Sequence, residues 1–417
     1  MKTLSNYLIE GAAGKNLHLE HIEDEILNYG VPGGRGAINF IRALRDMLGG
    51  QVSKAVNVSV KWDGAPAIIA GIDPADGKFF VGTKGVFAKT PKAIKGKTDI
   101  SKFGYSGALA TKLELAFEHF QKLGIKSGAI QGDVMFTSGD LGSETFEGVN
   151  HITFQPNTIV YAVPDNGKLA SQIRQAKIGV VWHTTYSGDS LAEMSASFGV
   201  DVSKLSKTRD VWFDDAAYKD VSGKVLFTSK ETAALNKHLS AAGKAFQKIN
   251  SAKLKKFLTY QDTLPTNAKG SSFKAYRNLH VRAGSNIGSS TAYINAYYNH
   301  VEKFWDKLIT DAKKEDTKKN RKNAKSIHLK NIKVSKSDLK LLVEFQKGII
   351  EAKLMIITKL SSGANQMRTF VKTSSGYKVT KDEGYVVVDR MEGKAVKLVD
   401  RLDFSYRNFT VMKNWDS

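Results

Sequence analysis

Cysteine is absent from this chain of 417 residues, and its absence excludes several kinds of chemistry. Without cysteine there is no disulfide, no thiol nucleophile and no zinc site of the cysteine type. Such a composition fits a reducing compartment. We therefore expect a cytoplasmic protein, and this expectation includes a viral protein that acts in the host cytoplasm.

Long apolar runs are missing as well. No stretch approaches the roughly 20 apolar residues that a helix needs to cross a bilayer. Residues 1–14 have neither the apolar core nor the flanks of a signal peptide, so we expect no membrane partner. The sequence also shows no internal repeat of fixed period, and it therefore does not indicate a repeat architecture.

Acidic residues are too few to balance the basic ones. The chain has 62 Lys and Arg against 41 Asp and Glu, which gives a formal net charge of +21. An excess of cations commonly faces a polyanion such as nucleic acid, although a solvated basic surface produces the same composition. The charge leaves both interpretations open, so the motifs must decide between them.

Hydrophobic periodicity predicts an α+β fold in which a helical part interrupts a sheet part. Strands are expected at 56–60, 67–72, 78–82, 129–136, 158–163, 178–186, 377–388 and 395–399, and helices at 37–48, 108–123, 230–248, 290–314 and 337–360. A polar, basic stretch at 313–333 is expected to interrupt the helices. The predicted domains are an N-terminal helical segment packed on the core (1–54), a sheet domain formed by 55–187 and 376–417, and a mainly helical, basic insertion (188–375).

One lysine stands where an apolar strand pattern ends. Lys61 precedes Trp62, Asp63 and Gly64, and the Asp-Gly pair predicts a turn from which the lysine amine can project into a cleft. A lysine becomes a nucleophile when burial or neighbouring cations depress its pKa and the fold aims it at an electrophile. Taken alone, however, Lys-x-Asp-Gly is more often an ordinary surface turn.

Further motifs follow this lysine in a defined order. They are Gly82-Thr83-Lys84-Gly85, Ala129-Ile130-Gln131-Gly132-Asp133-Val134, Asp382-Glu383-Gly384-Tyr385-Val386 and Lys394-Ala395-Val396-Lys397-Leu398. Together with Lys61-Trp62-Asp63-Gly64, this order resembles that of the ATP-dependent RNA and DNA ligases and the mRNA capping enzymes. These are the covalent nucleotidyltransferases, and the motifs here are most similar in style to those of phage-type RNA ligases.

The resemblance implies a fold and a role for particular residues. The implied fold is a ligase-type nucleotidyltransferase domain of antiparallel sheets flanked by helices, here with a large helical insertion. Lys61 would be the catalytic nucleophile, and Glu383 and Asp133 would hold Mg²⁺ or Mn²⁺, with aspartate at 133 where the family usually has glutamate. The implied nucleotide-binding residues are Lys61, Trp62, Asp63, Gly64, Lys84, Asp133, Trp182, Glu383, Lys394 and Lys397.

Two of these assignments leave alternatives open. The aromatic residue that stacks on adenine belongs to one of two strands, and Trp182 is slightly favoured over Tyr161. The closing phosphate contact belongs to Lys394 or to Lys397, since neither gives the family's Lys-x-Lys spacing.

The implied activity is ATP-dependent joining of nucleic-acid ends. The family forms a lysyl-AMP, passes the adenylate to a 5′-phosphate and then seals that end to a 3′-hydroxyl. RNA is favoured as the substrate, because about twenty residues follow Lys397 and an OB-fold clamp needs ~70 or more. Nick sealing in DNA is the first alternative and mRNA capping the next. An alternative of another class is a noncatalytic nucleic-acid-binding protein on a ligase scaffold.

Three other groups of residues have a weaker claim to function. His18, His21 and Glu25 fit a metal site on a helix, although solvent-facing side chains are the commoner outcome of such spacing. The glycine-rich stretch 33–36 could cradle a phosphate at a helix start or simply begin a helix. The aromatic and basic residues of 293–305 could clamp a nucleic-acid strand, but helix packing explains them equally well.

Overall fold

The computed structural model describes residues 20–50, 56–217, 225–363, 367–373, 376–379, 384–389 and 395–402. The strands are β1 Val56–Lys61, β2 Ala67–Ile72, β3 Phe79–Gly82, β4 Ala129–Thr137, β5 Gly142–Phe146, β6 Val149–Phe154, β7 Val160–Pro164, β8 Ile178–Ser187, β9 Ser195–Phe198, β10 Val211–Asp215, β11 Arg368–Thr373, β12 Gly376–Val379, β13 Gly384–Asp389 and β14 Ala395–Leu398. The α-helices are α1 Glu25–Leu48, α2 Lys97–Lys102, α3 Gly107–Phe120, α4 Lys168–Gln175, α5 Ser229–Lys248, α6 Ser251–Asp262, α7 Phe273–Arg282, α8 Ser290–Thr310 and α9 Glu315–Leu360. The fold is therefore a mixture of helices and mainly antiparallel sheets, as predicted.

A six-stranded sheet lies at the centre of the sheet part. Its order is β10-β8-β4-β2-β3, with β9 pairing on β8, and β10 and β8 are its parallel pair. Apolar side chains of its strands point alternately to the two faces, and each face packs against a hydrophobic core. One face buries Ile68, Val134 and Val180 against α3, and the other contributes Met135 and Val181 to a second core.

A five-stranded antiparallel sheet packs beside it in the order β12-β11-β7-β6-β5. The hairpin of β5 and β6 was not predicted, because the polar residues of β5 hide its alternation. Phe154 and Tyr161 of this sheet pack against Phe136 of the central sheet in one hydrophobic core. The two sheets are therefore held face to face by aromatic side chains.

A third sheet has three antiparallel strands in the order β1-β13-β14. Its residues Val387, Val396 and Leu398 belong to the same core as helices α1, α5 and α9. The backbone N–H of Val60 donates to the carbonyl of Ala216 just after β10, at 2.7 Å. This small sheet thus lies between the helical part and the central sheet.

The helical part is organised around α9, which runs without a break for 46 residues. The polar stretch 313–333 was expected to interrupt the helices, and that prediction is wrong. His328 and Ile332 turn inward while the lysines face outward, and lysine is a good helix former. Charge on one face is therefore compatible with a continuous helix.

The predicted domain limits shift at both ends of the helical insertion. Strands β9 and β10 still belong to the central sheet, and β11 pairs with β7. The helices of the insertion therefore occupy Ser229–Leu360, a shorter segment than 188–375. In the part of the chain that the structure describes, no helix has the length and apolarity needed to cross a membrane.

The glycine-rich stretch 33–36 lies within α1, in the first turns of the helical segment that follows a break at Gly30. The helix has a kink at Gly30, whose φ is 63°. A Cβ atom on Gly34 would stand 2.6 Å from Cε2 of Phe246, so glycine here permits close packing of α1 on α5. The phosphate-cradle alternative for this stretch is not supported by that placement.

Candidate functional site

The corner that follows β1 is held by the carboxylate of Asp63. This side chain is almost fully buried. Its Oδ2 accepts hydrogen bonds from the backbone N–H groups of Thr158 (2.7 Å) and Ile159 (2.9 Å) and from the Thr158 hydroxyl (2.6 Å). Its Oδ1 accepts a fourth bond from the Asn157 amide at 2.7 Å. Asp63 therefore ties the corner to the segment before β7, and both of its oxygens point into the protein.

Trp62 also anchors this corner, through a contact with β7. Its ring stacks on Tyr161 with centroids 5.3 Å apart. The Tyr161 hydroxyl accepts the backbone N–H of Asp63 at 2.8 Å. The adjacent side chains of Trp62 and Asp63 therefore both hold the corner against residues 157–161.

Gly64 brings the corner into contact with the central sheet. A Cβ atom at this position would lie 2.5 Å from the Cβ of Asp133 and 3.1 Å from the carbonyl of Val134. The backbone N–H of Ala65 donates to that same carbonyl at 2.9 Å. Only glycine allows this approach, and as a result Asp133 lies directly against the end of the Lys61-Trp62-Asp63-Gly64 motif.

Asp133 belongs to a polar strip on one face of the central sheet. The Nε2 atom of His183 lies 3.6 Å from the Asp133 carboxylate, and both side chains are about one-quarter exposed. Two residues along β4, Gln131 accepts a hydrogen bond from the Tyr186 hydroxyl at 2.7 Å. His183 and Gln131 were not predicted as site residues, because a histidine and an amide inside apolar strand patterns give no signal of their own.

A second acid lies on the same face. Asp133 pairs with Val181 across β4 and β8, and Val181 pairs with Asp214 across β8 and β10. Paired residues share a face, so two aspartates flank Val181 with Cα atoms about 9 to 10 Å apart, at two strand spacings. Asp214 also escaped prediction, since its strand lies beyond the predicted sheet domain.

The small sheet places Lys61 and Lys397 on one face. Lys61 pairs with Gly384, and Lys397 pairs with Val386, which in turn pairs with Ser59. The alternate residues of these strands, such as Val60 and Leu398, point into the helical core. By alternation, Lys61 and Lys397 therefore project from the opposite face. Glu383 and Lys394 lie outside the described residues.

Trp182 does not lie where a nucleotide could reach it. Its side chain is fully buried and meets Phe120 of α3 edge to face, with centroids 5.2 Å apart. This is the face of the sheet opposite Asp133, so the prediction that Trp182 stacks on adenine is wrong. The alternative, Tyr161, is buried against Trp62 and is excluded for the same reason.

Lys84 lies at the surface, two residues after β3. The last residue of β3, Gly82, pairs with Ile69, and Ile69 pairs with Gln131. Lys84 therefore leaves the sheet on the flank of the polar strip, two strands from Asp133. It borders the site and does not form part of its floor.

Metal ligands were expected at Asp133 and Glu383. Among the residues that the structure describes, no group of three or more His, Asp or Glu side chains is placed to hold a metal ion. Mg²⁺, however, is usually held by one or two carboxylates together with substrate phosphates. The partly exposed carboxylate of Asp133 fits that mode of binding.

The other candidate groups are explained by packing. His21 is half-buried, and its removal from water lowers its pKa to about 3, with Glu23 opposing that shift. His18 lies outside the described residues. Tyr297 and Trp305 are buried around His328, to which the Trp305 indole donates at 3.1 Å. Tyr297 and Trp305 are therefore core residues and are not available to clamp a strand, whereas Tyr298 of the same helix is partly exposed.

The chain belongs to a family of unknown function, DUF6267, which it matches over residues 16–413. No curated protein and no solved structure matches the chain. Family membership therefore extends over nearly the whole sequence, sheet part and helical part alike.

Proposed function

We propose that this protein is an ATP-dependent polynucleotide ligase that acts through a lysyl-AMP intermediate. The observation that supports the proposal is the surroundings of Lys61. It ends β1 on the same face of a sheet as Lys397, and the corner that follows it packs against Asp133. The proposed nucleophile thus shares a sheet face with one cation, and the corner that follows it packs against one acid, although the three lie far apart in the sequence.

In the first step, the unprotonated Nζ of Lys61 attacks the α-phosphorus of ATP. A nitrogen–phosphorus bond forms, the bond to the bridging oxygen breaks, and pyrophosphate leaves. The negative charge on the phosphoryl oxygens is offset by Lys397 and by Lys84 at the border of the site. Mg²⁺ or Mn²⁺, held by Asp133 and Glu383, would add positive charge beside the phosphates.

In the later steps, an oxygen of a 5′-phosphate attacks the same phosphorus and Lys61 leaves with its proton restored. A 3′-hydroxyl then attacks the activated 5′-phosphate, and AMP leaves as the strand is sealed. The style of the motifs favours RNA over nicked DNA. Asp63 takes no part in these transfers, since both of its oxygens face the segment 157–159.

The proposal is tested by incubation with α-labelled ATP and divalent metal, followed by denaturing electrophoresis. Wild-type protein is expected to acquire a covalent label that is stable in base and labile in acid, as a phosphoramidate is. Lys61→Arg should acquire none, because arginine keeps the charge but does not deprotonate near neutral pH. The mass of AMP should be found on the peptide that contains Trp62.

Undiminished labelling of Lys61→Arg, or an adduct on another lysine, would overturn the assignment of the nucleophile. A noncatalytic nucleic-acid-binding protein would acquire no label at all. Once labelling is established, a panel of nicked duplexes and single strands in RNA and DNA identifies the polymer that is joined.

A further inference from the structure

The helical part contains a groove between α8 and α9 that none of the steps above uses. One wall presents Asn295, Tyr298 and Asn299 from α8, and the other presents Lys333 and Lys336 from α9. We call these five residues the α8–α9 groove. The Nζ of Lys333 lies 5.5 Å from the centre of the Tyr298 ring, within cation–π distance. The groove therefore combines amides, an aromatic ring and cations above the buried apolar side chains of Ile294 and Ile332.

The lysines of this groove belong to a longer stripe along α9. Its members are Lys318, Lys322, Lys325, Lys333, Lys336 and Lys340. At 100° per residue these six positions fall within a sector of about 80°, and at 1.5 Å per residue they extend over about 33 Å. Six positive charges thus follow one line on the protein surface.

Acidic partners neutralise only part of this stripe. Lys318 lies 2.6 Å from Glu315, and Lys325 lies 2.6 Å from Asp306. Within the described part of the chain, no carboxylate lies within ion-pair distance of the other four lysines. Like charges so close together repel one another, and an arrangement of this kind is stabilised when a polyanion binds.

We propose that the α8–α9 groove and its lysine stripe bind the phosphodiester backbone of a single-stranded polynucleotide. This inference rests on the proposed function, and it identifies the surface that holds the polynucleotide substrate beyond the site of Lys61. The lysine ammonium groups can each pair with one phosphate of the backbone. The Asn295 and Asn299 amides can donate to phosphate or base oxygens. The aromatic ring beside the cations offers a stacking surface that accepts any base. An acidic protein would also neutralise the lysine charges, but it would make fewer contacts with the Tyr298 ring and the asparagine amides.

The experiment measures binding of a fluorescein-labelled 20-nucleotide oligouridine by anisotropy over a range of salt concentrations. The test variant is Lys333→Gln/Lys336→Gln in the full chain. The matched control is Lys126→Gln/Lys207→Gln, which removes two exposed lysines of the sheet part and therefore the same charge. Both variants should unfold at the wild-type temperature, because none of these side chains is buried.

The test variant should bind the oligonucleotide roughly 10- to 30-fold more weakly than wild type near 0.1 M salt. Its negative slope of log affinity against log salt should become shallower by about 1.4, the value for the loss of two phosphate contacts on a single strand. The control should lose less than about 3-fold. Equal losses in the two variants, no loss in either, or no binding by wild type would overturn the proposal. Oligoglutamate competing as well as unlabelled oligouridine would reassign the groove to an acidic peptide and overturn it also.

Covalent AMP labelling without oligonucleotide separates this inference from the proposed function. The test variant should be labelled like wild type, since the groove does not contact ATP. If labelling fails in every protein while the test variant alone loses oligouridine, the groove stands and the ligase proposal falls. If labelling proceeds while binding is unchanged, the groove proposal falls alone.

Discussion

Replacing Asp63 tests how the corner after Lys61 is built. In Asp63→Ala, the buried N–H groups of Thr158 and Ile159 lose their acceptor. Each unsatisfied buried donor costs about 1 to 3 kcal/mol. The Thr158 hydroxyl and the Asn157 amide lose theirs too, although both can reorient. We therefore expect Asp63→Ala to lower the free energy of unfolding by about 3 to 5 kcal/mol.

Asp63→Asn should be tolerated much better. The asparagine oxygen can take the place of Oδ2 and keep its three donors. Its amide then meets Asn157, whose own Oδ1 is buried without a hydrogen-bond partner. A flip of the Asn157 amide lets that oxygen accept from the new amide. The remaining cost is the loss of charge assistance, about 1 to 2 kcal/mol.

Urea unfolding measures the difference between these two variants. Tryptophan fluorescence follows unfolding through Trp62, Trp182 and Trp212 of the sheet part and Trp305 of the helical part. The urea concentrations at the midpoints are compared at an unchanged dependence of the unfolding free energy on urea. Covalent AMP labelling of the folded Asp63→Asn protein should persist, because the carboxylate faces the protein and not the nucleotide. If Asp63→Asn were as unstable as Asp63→Ala, or folded normally without any labelling, this reasoning would be refuted.

Two further predictions concern buried ionisable groups of the helical part. Burial lowers the pKa of His328 from 6.5 to about 4. The unfolded chain therefore takes up a proton more readily than the folded one, and the free energy of unfolding falls as the pH falls from about 6.5 towards 4. Between pH 7 and 5 the loss is about 2 kcal/mol. Thermal unfolding of His328→Gln should show a correspondingly weaker pH dependence, and an unchanged dependence would contradict the shift. Lys353 and Glu23 form a fully buried ion pair at 2.8 Å. Lys353→Met should therefore lower the free energy of unfolding, measured in urea, by about 3 to 5 kcal/mol, because it leaves the Glu23 charge buried alone. Lys353→Met/Glu23→Met should lower it less, because no lone charge stays buried. A double variant no more stable than the single one would contradict that reasoning.

Local pattern was sufficient for much of the sheet part. Strands β1 to β4 were predicted to within one residue, because apolar runs and an Asp-Gly turn mark their limits. The hairpin of β5 and β6 was not, since Ser143, Glu144 and Asn150 interrupt the apolar pattern. The first half of α9 was missed because a helix of lysines resembles an unstructured polar segment until its few inward residues find a core.

The candidate site required information that a sequence does not display. The Asp-Gly turn after Lys61 was predicted, but the partners of Asp63 lie about a hundred residues away. Trp182 was misassigned because a strand buried on both faces shows no alternation that separates the core side from the site side. The shared face of Lys61 and Lys397 follows from strand pairing, which the order of motifs alone could not establish.

The length of α9 has a mechanical consequence. Its 46 residues correspond to about 69 Å, whereas a compact sphere of 417 residues would be about 56 Å across. Just past its C-terminal end, the Ser361 hydroxyl lies 3.0 Å from the Tyr385 hydroxyl on β13, the strand beside β1. Lys333 lies about 40 Å up the same rod, so a pivot of only about 5° at the sheet would carry it some 3 to 4 Å. Any rotation of α9, together with the helices packed on it, about this contact would therefore be amplified along the length of the helix.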